Sequence, residues 1–169
     1  MTALQQVKAA IVSALTDAGL SAMSAYSEER LKKYATAVTA VGLREMKVTE
    51  SGATEYLGEK YDTVRDTVSE VYGKKLTLSL SLDVYAPRTL GAEGCEETAE
   101  EITQVMTSAL PSGLRVRELI WGKTEWDKTY GMFRLSASAE YEAYFTAETE
   151  EETAVFTDFV LKGVVRTHE

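Results

Sequence analysis

The chain is 169 residues long, 44% hydrophobic and 27% charged, and carries a net charge of −9. That composition is ordinary for one soluble globular domain able to bury about two-thirds of its unfolded surface. Its acidity excludes phosphate-backbone binding as the main activity, because such binding needs clustered Lys and Arg.

Residues Thr2 to about Ala18 set Leu4, Val7, Ile11 and Leu15 at helical spacing, and Gly19 suits a left-handed stop. The N-terminal stretch is too polar for a secretion signal, and no apolar run approaches the ~18 residues of a membrane helix. Ser21 to Arg30 is short and mixed, with Met23 and Tyr26 as anchors. Tyr34 to Val48 (YATAVTAVGLREMKV) reads as one strand or as two pieces hinged by a bulge at Gly42. A helix from Ser27 competes for SEERLKKYA, where Glu28 and Lys32 are four residues apart. Thr49 to Gly73 shows no strand period and reads as a long loop with a helical turn over 62–71. It is either solvated or an arm reaching a neighbour.

Lys74–Tyr85 (KKLTLSLSLDVY) is the centre of the chain. Leu76, Leu78, Leu80, Leu82 and Val84 fall on one side of an extended strand, and Thr77, Ser79, Ser81, Asp83 and Tyr85 on the other. Pro87, Gly91 and Gly94 break it. A helix over about 96–110 then presents Ala99, Ile102, Val105, Met106, Ala109 and Leu110 as cover for the leucine face, with Glu96, Glu97, Glu100 and Glu101 in its first turns. Leu114–Trp126 alternates at first, and Phe133–Phe145 alternates throughout, which predicts a hairpin of two half-buried strands. After an acidic linker at 146–153, a last strand over about 155–166 carries Phe156, Phe159, Val160 and Val164. It joins the domain's own sheet or pairs with another subunit's edge. The expectation is one α+β domain over 1–169, a mostly antiparallel sheet with an N-terminal helix and the 96–110 helix packed on one face.

Catalytic chemistry finds little support. A lone cysteine, Cys95, and a lone histidine, His168, supply neither a disulfide nor a zinc site, and a reducing cytoplasm is the expected compartment. Cys95 reads as lying just ahead of a helix N-terminus, where a thiol's pKa falls, but the neighbouring glutamates oppose that and no internal histidine offers a base. The acidic runs at 93–101 and 148–152 lack calcium-loop spacing and read as solvated faces. GAEG at 91–94 is no phosphate loop. No cofactor is expected. Trp121, Trp126 and Tyr130 gather around the hairpin turn and read either as protein-contact or core aromatics or as the lining of a small-ligand or peptide site.

The stretches LTLSLSLDVYAPRTLGAEGCEETAEEITQVM, the long hairpin and the ending VFTDFVLKGVV give a layout that resembles the tail terminator and tail-completion proteins of long-tailed phages and prophages. The resemblance implies a non-enzymatic subunit, commonly a hexameric ring, that caps the tail tube and joins it to head-connector proteins. It implies a location in the virion tail, or in the bacterial cytoplasm during assembly. DNA would pass through such a ring without specific binding, and an acidic wall suits that passage. Contacts between copies are expected at Tyr56, Tyr61, Trp121, Trp126, Tyr130, Phe156 and Phe159.

Overall fold

Strand β4 (Thr67–Ala86) is 20 residues long in the computed structural model, roughly 65 Å of extended chain. Residues 3–24, 35–52, 55–111, 114–148 and 158–160 are described. Along them the chain forms α1 (Ala3–Asp17), β1 (Ser21–Met23), β2 (Val38–Glu50), β3 (Tyr56–Asp62), β4, α2 (Gly91–Ser108), β5 (Arg115–Trp121), β6 (Glu125–Asp127), β7 (Met132–Glu148) and β8 (Asp158–Val160). All eight strands belong to one sheet ordered β1-β2-β4-β7-β5, with β3 on β4 and β6 and β8 on β7. Among the described residues only the β1–β2 pairing is parallel. The fold is α+β, as the periodicities predict.

The leucine face of β4 explains the layering. Leu76, Leu78, Leu80, Leu82 and Val84 are fully buried against Val7, Ile11 and Leu15 of α1 and Ile102, Val105 and Met106 of α2. Each such side chain contributes roughly 1.5–3 kcal/mol on burial. Helix α1 lies against β1 and β2, and α2 against β4, β7 and β5. Helix α1 ends in a Schellman motif: Leu20 N–H donates to Leu15 C=O and Gly19 N–H to Thr16 C=O, with Gly19 at φ +87°. At the start of α2, Gly94 packs on the turn before it, and a Cβ there would lie 2.7 Å from Leu90 Cβ. A smaller cluster of Met23, Val38, Ala40, Tyr85 and Met132 forms on the opposite face, with Tyr130 against it.

Several expectations need correction. The long loop at 49–73 is a β-ribbon: β3 and the first third of β4 pair antiparallel around a turn at 63–66, and no helical turn forms over 62–71. Both ribbon faces meet solvent, so no apolar period marks it. At the turn, Asp62 Oδ1 accepts hydrogen bonds from the Val64 and Arg65 N–H groups, which hold its carboxyl below the usual range. Helix α2 begins at Gly91 rather than near 96, so Cys95 lies inside it and Glu100 and Glu101 lie well past its first turn. Strand β2 is continuous, and its irregularity falls between Leu43 and Glu45, not at Gly42. Of the strand expected over 155–166, residues 158–160 pair with β7, so this part adds to the domain's own sheet. The helix proposed from Ser27 and the residue Phe156 lie outside the described residues.

Candidate functional site

Two edges of the sheet are open among the described residues. On one side, β1 covers only Val38–Ala40 of β2, and Val41–Glu50 has no strand beyond it. On the other, β5 has none along Arg115–Trp121. Unpaired strand edges are templates for another strand, and proteins usually blunt or cover them. Here the two edges are decorated differently.

Directly paired residues share a face, so the β2–β4 register puts Leu43, Met46 and Val48 beside Leu80, Leu78 and Leu76. The β4 leucines are buried, yet Leu43, Met46 and Val48 are 43%, 49% and 44% exposed. The helices stop short of them. The same face continues onto the β3–β4 ribbon with Tyr56 against Tyr72 and Tyr61 beside Val68. Tyr61 donates its hydroxyl hydrogen bond to Asp66, and Lys74 meets Glu55 at 2.7 Å at the ribbon base.

Strand β5 borders a groove of about 560 Å³ beneath α2, lined by Met106, Leu110, Leu114, Val116, Leu119 and Trp121 among others. The Trp121 indole N–H donates to Thr103 Oγ1 at 3.0 Å, which fixes one wall of the groove. Trp126 is not part of it. It stacks edge-on to Phe133, with ring centroids 5.0 Å apart, on the same sheet face but farther along β7. Tyr130 packs on the other face, edge-on to Tyr85 at 5.3 Å. The three aromatics expected as one cluster are therefore three separate contacts. Phe159 sits opposite Phe145 in the β7–β8 ladder.

Beyond the small apolar cluster around Tyr85, the face away from the helices carries two charge networks. Glu142 is buried between Lys75 of β4 and Arg117 of β5, and ion pairs join it to both. Burial alone would raise the Glu142 pKa, but hydrogen bonds and charge from Lys75 and Arg117 bring it down to about 2. At the other end, Asp83 accepts hydrogen bonds from Arg134 Nη2 at 3.1 Å and from Ser136 Oγ. Between them lie Thr77, Ser79, Ser81 and Ser138, with Ser79 and Ser138 hydroxyls 3.3 Å apart. These networks tie strands together across the sheet, and Arg134 and Ser136 of the second also line a shallow pocket of about 240 Å³ with Gly122, Lys123 and Glu125.

The chemistry sought at Cys95 does not assemble. Its thiol is buried and donates to Val84 C=O at 3.8 Å, and desolvation pushes its pKa up to about 11. Among the described residues, no group of three His, Cys, Asp or Glu is placed to hold a metal ion. None of their helices is long and apolar enough to cross a membrane.

No family model and no curated protein matches the chain.

The open edges leave no mark in the sequence. Apolar periodicity reports which face a side chain occupies, and an edge strand shows the same pattern as an interior one.

Proposed function

We propose that this chain is a structural subunit of a phage or prophage tail, of the terminator or completion kind, acting as a homo-oligomeric ring between the tail tube and the head connector. The observation that carries the self-assembly part of this reading is the pair of edges, at opposite sides of one sheet, that have no strand beyond them among the described residues, each with apolar side chains beside it. Two unlike edges on one body favour a heterologous contact, which closes into a ring when the rotation closes. The ribbon of β3 and β4 extends past the end of β2 and offers Tyr56, Tyr61 and Val68 as a further contact surface. The phage assignment itself rests on the layout of elements, and the net charge of −9 is compatible with a wall past which DNA slides.

A second reading has one observation in its favour. The groove beneath α2 is large enough for a small ligand or an extended peptide, with Trp121 on its wall.

Electron microscopy of the purified protein, alone and mixed with tail tubes, tests the first reading. Discrete rings, free or at tube ends, are expected. Particles of monomer size that never decorate a tube would refute it.

A further inference from the structure

Resting on the assembly reading above, we propose that copies join by antiparallel pairing of the β2 edge of one copy with the β5 edge of the next, in the register that sets Lys47 opposite Glu118. Three pairings separate β2 from β5 within the sheet, and all three are antiparallel, so β2 and β5 run in opposite directions. A rotation about an axis along the strands preserves those directions. The two edges then meet antiparallel with their helix-bearing faces on the same side.

The side chains select the register. On the helix-bearing face, β2 presents Leu43, Met46 and Val48, and β5 presents Trp121, Leu119 and Val116. On the other face, β2 presents Glu45, Lys47 and Thr49, and β5 presents Ile120, Glu118 and Arg115. With Lys47 opposite Glu118, Met46 meets Leu119, and the irregularities at Arg44 and Arg117 bring Leu43 to Trp121 and Val48 to Val116. The apolar row of one copy thus enters the groove beneath α2 of the next. Glu45 falls opposite Ile120, the one unmatched pair.

Other registers fare worse. A one-residue slip turns the apolar row to the wrong face. A two-residue slip one way sets Glu45 against Glu118, and the other way sets Thr49 there and loses the charge pair. The ladder is also consistent: Glu45, Ser79, Glu140 and Glu118 form one row across the sheet. Hydrogen-bonded and non-bonded pairs alternate along such a row, so the outward groups of Glu45 and Glu118 match, as do those of Lys47 two residues on. Among the described residues neither Lys47 nor Glu118 makes an ion pair, and both are exposed.

Charge reversal tests the pairing. Lys47→Glu and Glu118→Lys are each measured by sedimentation velocity against the wild type, with circular dichroism as the check on folding. Each variant alone is expected to associate at least ~10-fold more weakly at low salt, because like charges then face each other. An equimolar mixture is expected to regain assembly, since every junction between unlike variants then sets opposite charges face to face. The double variant is expected to assemble alone. A mixture that stays dissociated, or single variants that assemble like the wild type, overturns this contact while a wild-type ring leaves the assembly reading standing. A wild type that stays monomeric at every concentration, free and with tubes, overturns both.

Discussion

Replacing Glu142 with Gln keeps the size of a buried side chain and removes the charge that Lys75 and Arg117 share. The folded carboxyl titrates at about 2 against an ordinary 4.5. At about 1.36 kcal/mol per pKa unit, that depression is on the order of 3 kcal/mol. The Lys75 and Arg117 side chains are 35% and 49% exposed, so water takes over part of their interaction once the carboxylate is gone. A loss of about 2 kcal/mol at neutral pH is therefore expected, lowering Tm by roughly 4–8 °C for a chain of this length. Because the folded pKa lies below the unfolded one, the contribution is complete above the ordinary carboxyl range and fades as pH falls toward 2. Urea titrations of wild type and Glu142→Gln across that range should show a stability gap that narrows below about pH 4.5 and closes near about pH 2. A gap that is absent at neutral pH, or one that persists undiminished in acid, would refute the assignment of this triad as a strand-tying ion network.

Leu78 is wholly enclosed beneath the helices, and Leu78→Ala should cost about 2–5 kcal/mol in chemical denaturation, whereas Met46→Ala on the open edge should change monomer stability by less than about 1 kcal/mol. Gly94→Ala forces a Cβ against Leu90 Cβ and should cost roughly 1–3 kcal/mol by the same assay, although Ala is normally favoured over Gly in a helix. The Cys95 thiol should resist a disulfide reagent at about pH 8 in the native protein and react at once in urea, because burial both shields it and raises its pKa. Rapid native reaction would mean that the start of α2 opens readily.

What could be read from the residues follows from what is half-buried. Leu76 to Val84, Phe133 to Ala143 and the stripe of α2 each have one face in the core and one turned outward, and that contrast writes a period into the sequence. Thr49 to Gly73 lacked a period because most of β3 and the first residues of β4 stand in solvent on both faces, and the β3–β4 register also shifts between Tyr56 and Gly58. Trp121, Trp126 and Tyr130 are close in sequence, but Gly122–Thr124 and the turn at 128–131 carry them to separate contacts. Leu43, Met46 and Val48 look like core residues on hydropathy alone. Only the strand order puts them at the rim, past the reach of α1 and α2.

If copies of the chain meet through the rims of their sheets, amide hydrogen exchange followed against protein concentration addresses that contact most directly. Slowing of Val41–Glu50 and of Arg115–Trp121 together, as concentration rises, is the predicted result. Exchange at both rims that is fast and indifferent to concentration, while another surface becomes protected, would contradict it.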